Sequence, residues 1–145
     1  MRVWDAATGA LRRELKGHTS GVNAVAVAPD GAWLASGSDD KSVRVWDAAT
    51  GALARSFAHG AAVHSVQACQ ANAALCLTAA AEWLFVRDVR SGATLAAFRS
   101  PTMLSCAALG GGGGAVALGA SNGACLLYTS PSPRDQRGSR MPSSA

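Results

Sequence analysis

The chain has 145 residues, of which 49% are hydrophobic and 15% charged, and its formal net charge is +4. This composition favours a globular fold and excludes the highly charged profile of a disordered protein. No apolar run approaches the roughly 18 residues of a membrane-spanning helix, and the start lacks a secretory signal pattern. We therefore expect an intracellular protein, cytoplasmic or nuclear, without membrane contact. Half of the net charge lies in residues 128–145, so a nucleic-acid-binding stripe is not expected either.

The four cysteines indicate neither a metal site nor a disulfide framework. No pair has the Cys-x-x-Cys spacing, and each lies in an apolar stretch. Isolated cysteines in such surroundings usually behave as small hydrophobic residues. We predict reduced core residues at Cys69, Cys76, Cys106 and Cys125.

The sequence repeats itself at an interval of about 41 residues. The segment Arg2–Leu11 recurs unchanged as Arg44–Leu53, at an offset of 42. A weaker copy follows at 86–93, and a fourth unit spans 103–127. A fixed interval of this length is typical of repeat architectures, and it is too long for leucine-rich, ankyrin or tetratricopeptide units.

Within one interval, short apolar runs alternate with turn residues. Such runs, without a 3.6-residue periodicity, predict strands joined by tight turns. Four antiparallel strands in each interval predict one propeller blade per repeat. In the best-preserved repeat the predicted strands are Val22–Ala28, Trp33–Ser38, Ser42–Asp47 and Leu53–Phe57.

Four motifs of this repeat resemble the WD40-repeat family in order, spacing and residue type. They are Gly17-His18, Pro29-Asp30-Gly31, Ser36-Gly37-Ser38-Asp39-Asp40 and Val43-Arg44-Val45-Trp46-Asp47. The resemblance implies a buried hydrogen-bonded tetrad of His18, Ser36, Asp40 and Trp46. Such a network helps to specify a structure when every member has a partner. In the next repeat His59 and Thr78 match, whereas Glu82 stands near the Asp position and Arg87 replaces the tryptophan, so a broken or rebuilt network is expected there.

The resemblance implies an all-β fold, a partial and open β-propeller of four-stranded antiparallel WD40 blades. We expect uncovered apolar faces at both ends of the open arc. Residues 128–145 resemble the adapter-like tails of fragmentary sequences, and we predict a disordered, non-native tail there. The predicted units are a partial blade at 1–16, blades at 22–59 and 63–99, and a partial blade at 103–127.

The expected function is a scaffold that holds proteins or peptides on the blade-top surface, together with the remaining blades of a parent protein. No catalytic residue, cofactor or metal is expected. The candidate partner-binding residues are Asn23, Asp39, His64 and Trp83. Large aromatic residues anchor interfaces, although Trp83 could instead pack against the neighbouring blade. The alternative function is a sensor or targeting arm of a larger enzyme, such as a ubiquitin ligase substrate receptor or a kinase-linked propeller.

Overall fold

The computed structural model describes residues 1–70, 72–109, 115–120, 122–123 and 125–129. The secondary-structure elements in these residues are all β-strands. The strands are three to six residues long, which is typical of propeller blades. Their bounds are β1 Arg2–Trp4, β2 Leu11–Glu14, β3 Val22–Val27, β4 Trp33–Ser38, β5 Ser42–Asp47, β6 Leu53–Ala58, β7 Val63–Ala68, β8 Leu75–Ala80, β9 Trp83–Asp88, β10 Thr94–Arg99, β11 Leu104–Leu109, β12 Ala115–Ala120 and β13 Cys125–Thr129.

The strands form four antiparallel sheets in chain order. The first full sheet is β3-β4-β5-β6, and the second full sheet is β7-β8-β9-β10. A two-stranded sheet, β1-β2, precedes them and a three-stranded sheet, β11-β12-β13, follows. The predicted all-β fold class with four-stranded antiparallel blades is confirmed, and the described sheets do not close into a ring.

The repeated Asp-x-x-x-Gly spacing explains how the outer hairpins close. In the first full sheet, Asp47 accepts hydrogen bonds from the backbone amides of Ala49 and Thr50, while the Gly51 amide donates to the Asp47 carbonyl. Gly51 has a φ of 76°, a left-handed conformation that glycine adopts without steric cost. Asp5 and Asp88 close the preceding and following hairpins in the same way. The same motif therefore forms the same turn in three hairpins.

The hydrophobic core lies between neighbouring sheets, because each sheet covers one face of the next. One cluster joins Ala35, Val43 and Val45 of the first full sheet to Val63 and Val66 of the second. A second cluster joins Leu77, Ala79 and Leu84 to Leu104 and Ala107. The innermost strands β3, β7 and β11 lie side by side and make most of the contacts between sheets. Alternating inward-facing residues of two sheets thus form each layer of the core.

Gly37 lies where the two full sheets pack closely against each other. A Cβ atom at this position would lie 2.6 Å from Val63 Cγ1 and 2.8 Å from Val66 Cγ2, so Gly37→Ala forces two buried side chains apart. We expect a loss of about 1–3 kcal/mol in the free energy of unfolding, measured by urea denaturation. Gly60→Ala is the control, since nothing lies within 4 Å of its Cβ position. Equal stabilities of the two variants would contradict this packing.

Arginine side chains make a second, repeated link between sheets. Arg13 of β2 donates to the carbonyl oxygens of Ala49 and Thr50, in the outer hairpin of the first full sheet. Arg55 of β6, 42 residues later, donates in the same way to Val89 and Arg90. The outer strand of one sheet is therefore fastened to the outer hairpin of the next.

Two sequence expectations need correction. Cys106 was predicted in the core but is exposed, because it lies on a face of β11 that no described strand covers, whereas Cys69 and Cys76 are buried. Strand β13 pairs with β12 as far as Thr129, so the first two residues of the predicted tail belong to a strand. Residues 130–145, the rest of that predicted tail, lie outside the described residues.

The expected uncovered face is present on the first full sheet. Val25 and Val27 of β3 are each 58% exposed, although their counterparts one repeat later, Val66 and Ala68, are 4% and 8% exposed. The difference arises because the first full sheet covers the second, while no described inner strands cover β3.

Candidate functional site

Two kinds of connection meet at one end of the sheets, and this end carries the candidate site. Because neighbouring strands are antiparallel, the turns between second and third strands lie at the same end as the segments that lead into each innermost strand. We call this end the loop end. His18, His59 and Met103 lie in those leading segments, and Asp40 and Glu82 lie in the turns.

The structure brings His18, Ser36, Asp40 and Trp46 into one hydrogen-bonded chain. Trp46 Nε1 donates to Ser36 Oγ at 3.0 Å, and this oxygen lies 2.7 Å from His18 Nε2. His18 Nδ1 lies 2.8 Å from Asp40 Oδ2. The His18 and Asp40 side chains are only 5% and 7% exposed, so the pair is shielded from solvent. A buried network with every member bonded rigidifies its surroundings.

Asp40 is held from more sides than the sequence resemblance implied. Its Oδ1 accepts from the hydroxyl of Ser42 at 2.6 Å and from the Ser42 amide at 3.0 Å. The Thr19 amide donates to Oδ2 at 3.1 Å. Although burial opposes ionisation, the hydrogen bonds from Ser42, His18 and Thr19 hold the pKa of Asp40 well below its usual 3.8.

The second full sheet has a different network at the corresponding positions. Arg87 Nη1 lies 3.0 Å from His59 Nε2, and the guanidinium lies 4.6 Å from the Phe57 ring centre and 4.8 Å from that of Phe85. The Thr78 hydroxyl is buried without a hydrogen-bond partner in the described structure. Glu82, which the sequence placed near the Asp position, instead binds Arg99 through Oε2 at 2.9 Å and 3.0 Å.

Burial, and then the charge of Arg87, lowers the pKa of His59 from 6.5 to about 4. Between these values the unfolded chain binds a proton on this ring and the folded chain does not. The free energy of unfolding should therefore fall as pH drops from 6.5 to 4. His59→Gln should flatten this part of a stability profile measured by urea denaturation. An identical slope in the wild-type protein and the variant would contradict the assignment to His59.

Two adjoining depressions at the loop end form the best candidate for a binding surface. One, of about 350 Å³, is lined by His59, Ala81, Trp83, Phe85 and Met103, among others. The other, of about 400 Å³, is lined by Asn23, His64, Met103, Leu104 and Ser105. Because both contain Met103, we treat them as one surface and call it the top groove.

The candidate partner-binding residues lie in or beside the top groove. Asn23 and His64 line one depression and Trp83 lines the other. Asp39 lies beside the groove and accepts a hydrogen bond from Asn23 Nδ2 at 2.7 Å. Trp83 is 42% exposed and stacks on Phe85, with ring centres 6.0 Å apart. This surface combines exposed aromatic area with a few polar groups, as peptide-binding sites commonly do.

Sequence reasoning missed Met103, which joins the two depressions and is 51% exposed. The repeat itself carries the signal, because the residues 41 and 82 positions earlier are Ala62 and Gly21. A large apolar residue replaces two small ones at an exposed loop position.

Asn23, His64 and Ser105 share one backbone feature. Each is the second residue of an innermost strand, at the point where the pairing register shifts. A β-bulge of this kind leaves one residue out of the ladder and re-aims its side chain. The bulges therefore present a polar side chain from each of three successive sheets at the loop end.

The described residues contain no group of three or more His, Cys, Asp or Glu side chains that could hold a metal ion. In the same part of the chain, no helix is long and apolar enough to cross a membrane.

Comparison with known proteins agrees with the sheet architecture. Residues 9–47 match the family model described as WD domain, G-beta repeat. The Ribosome biogenesis protein BOP1 homolog of Leishmania braziliensis is 38% identical over 71 residues, which cover 49% of this chain and 10% of that protein. The Small ribosomal subunit protein RACK1y of Oryza sativa subsp. japonica is 36% identical over 66 residues, 46% of this chain and 20% of that protein.

A third relative, the Nuclear distribution protein PAC1 of Arthroderma benhamiae, is 47% identical over 44 residues, 30% of this chain and 10% of that protein. The chain thus spans a tenth to a fifth of the length of these curated relatives. The repeated four-stranded antiparallel sheets define a protein of the β-propeller class. Together with the family match over residues 9–47, these sheets confirm the resemblance to WD40-repeat proteins.

Proposed function

We propose that this chain is part of a scaffold that binds a protein or peptide through the top groove. The observation that carries the proposal is the exposure of Trp83 and Met103, which are 42% and 51% exposed on a concave surface. Aromatic residues and methionine are enriched at the centres of protein interfaces. Asn23 and His64, which line the adjoining depression, supply the polar groups that orient a bound chain.

The rigidity of the surrounding blades supports this proposal. Asn23 Nδ2 donates to Asp39 and also to the Val63 carbonyl oxygen at 3.2 Å, so one groove residue is fixed to both full sheets. A preorganised surface binds more tightly because less side-chain freedom is lost on association. In this proposal Asp39 positions Asn23 rather than contacting the partner.

The proposal assigns no catalysis to this chain. His18 and Asp40 are the natural acid–base pair, yet both are buried and bonded to each other, to Ser36 and to Ser42. A general base has to reach the proton that it abstracts. We also propose that the protein acts inside the cell, because the names of the relatives refer to ribosome biogenesis, the small ribosomal subunit and nuclear distribution.

Site-specific photo-crosslinking tests the proposal. A benzoylphenylalanine at position 103 should give discrete, nuclease-resistant and protease-sensitive adducts in cells that express the protein. The control is the same residue at position 95, since Leu95 is 57% exposed and lies near the start of β10, whereas Trp83 of the groove pairs with Arg99 at the other end of that strand. Trp83→Ala and His64→Ala should each reduce the position-103 adducts at least tenfold. Adducts of equal yield at both positions, or nuclease-sensitive adducts, would overturn it.

A further inference from the structure

The two full sheets differ at the loop end in the carboxylate that binds the buried histidine. Backbone hydrogen bonds show which residues of the two turns correspond. The His59 amide donates to the Lys41 carbonyl oxygen, and the Ser100 amide, one repeat later, donates to the Glu82 carbonyl oxygen. Lys41 therefore corresponds to Glu82. The turn at 81–82 is one residue shorter than the turn at 39–41, and Ala81 precedes Glu82 as Asp40 precedes Lys41. In the first full sheet the Asp40 carboxylate binds the buried histidine, and in the second full sheet the residue before Glu82 carries only a methyl group.

The loss of this carboxylate leaves a hydrogen-bond donor without an acceptor. Arg87 carries only donors, so the His59 Nε2 that it contacts at 3.0 Å has to be the acceptor. The proton of the neutral ring is then on Nδ1. This nitrogen is buried and has no partner among the described residues. An unsatisfied buried donor reduces stability, and it marks a place where an acceptor would be favourable.

The surroundings of His59 are positively charged. Arg87 is 6% exposed and lies between the rings of Phe57 and Phe85, and none of the ion pairs in the described structure includes it. Glu82, the carboxylate at the rim, is bonded to Arg99. A buried cation without an anion favours the arrival of a negative charge.

The depression of about 350 Å³ reaches this place. His59, Gly60, Ala81 and Phe85 line it, with Trp83 and Met103 also in its wall. Ala81 has a φ of 51°, a left-handed conformation that is strained for a residue other than glycine. The turn in the wall of the depression is thus under strain.

We propose that this depression binds the carboxylate of an Asp or Glu side chain in the partner peptide, at the position that Asp40 occupies in the preceding sheet. The carboxylate accepts from His59 Nδ1 and from the Gly60 amide, which corresponds to the Thr19 amide that donates to Asp40. The aliphatic part of the acidic side chain packs against Trp83. This inference rests on the proposed function, since it names the chemistry that the top groove recognises.

Two blocked tripeptides test the proposal directly, acetyl-Gly-Asp-Gly-amide and its Asn counterpart. Each is titrated into the ¹⁵N-labelled protein while the side-chain signals of His59 and of the Trp83 indole are followed by NMR. The Asp peptide should shift both signals to saturation in the millimolar range, and the Asn peptide should bind at least tenfold more weakly. His18, which already has Asp40, is the internal control and should not shift.

Substitutions at Ala81 give a second, independent test. Ala81→Asp supplies the carboxylate from the chain itself, so it should reduce affinity for the Asp peptide at least tenfold and raise Tm by about 4 °C or more. Ala81→Asn is the matched uncharged control and should do neither to the same extent. Arg87→Trp, which restores the residue of the preceding repeat, should also weaken binding of the Asp peptide.

Equal affinity for the two peptides, or undiminished binding by the Ala81→Asp variant, would overturn the carboxylate site. Adducts at position 103 without binding of the Asp peptide would overturn the carboxylate site and leave the top groove as a docking surface. Binding of the Asp peptide without any adduct would support the carboxylate site and count against the scaffold function.

Discussion

Trp46→Ala is expected to lower the free energy of unfolding by about 3–5 kcal/mol. The indole is 3% exposed, and its ring meets the His18 ring edge-on with centres 6.5 Å apart. Truncation removes this packed ring and also takes the Nε1 donor from Ser36. Urea denaturation followed by circular dichroism measures the change.

Two variants separate the loss of the packed ring from the loss of the hydrogen-bond donor in Trp46→Ala. Trp46→Phe keeps most of the ring and loses the donor, so we expect a loss of about 1–2 kcal/mol. Arg87→Ala is the matched truncation one repeat later, and it should cost less than half as much as Trp46→Ala, because it also removes a buried cation that has no anionic partner. Equal losses from Trp46→Ala and Arg87→Ala would contradict the stabilising role of the Trp46–Ser36–His18–Asp40 network.

Asp40→Asn is expected to lower the free energy of unfolding by about 2–4 kcal/mol at neutral pH, because hydrogen bonds to a charged group are stronger than neutral ones. The pKa of Asp40 is lowered in the folded state, so its stabilisation is complete above the ordinary value of 3.8 and is lost as pH falls through the folded value. The variant should therefore be less stable at pH 7 and lose less additional stability in acid.

Asp39 supplies the control for the stability loss expected from Asp40→Asn. Asp39 is exposed, and its side chain accepts one hydrogen bond, from Asn23. Asp39→Asn should cost less than about 1 kcal/mol at pH 7. If both variants lost the same stability at pH 7, the buried network would not be the source of the Asp40 contribution.

Much of the fold could be predicted from the repeat, because the apolar positions and the turn residues of each repeat indicate the same strands. Strands β4 and β5 span the residues predicted from alternating apolar positions and turn residues. The Asp-x-x-x-Gly hairpins recur because the same residues satisfy the same backbone amides each time. Side chains that act across sheets were harder to predict, since the hydrogen bonds of Arg13 and Arg55 join residues more than 30 positions apart.

The hydrogen-bonded tetrad was predictable because its repeat is intact. His18, Ser36, Asp40 and Trp46 were named from the resemblance, and they lie together in one hydrogen-bonded chain. The second full sheet was expected to differ, but the placement of Arg87 between two rings depends on Phe57 from the neighbouring sheet. Sequence comparison within one repeat could not supply that contact.

Hydrogen–deuterium exchange of the protein with and without its crosslinked partner locates the surface that the partner covers. We expect the bound partner to slow amide exchange in residues 81–85 and 103–106, which border the top groove, while the outer hairpins at 47–53 and 88–93 exchange as before. Protection confined to those hairpins, at the opposite end of the sheets, would contradict binding through the top groove.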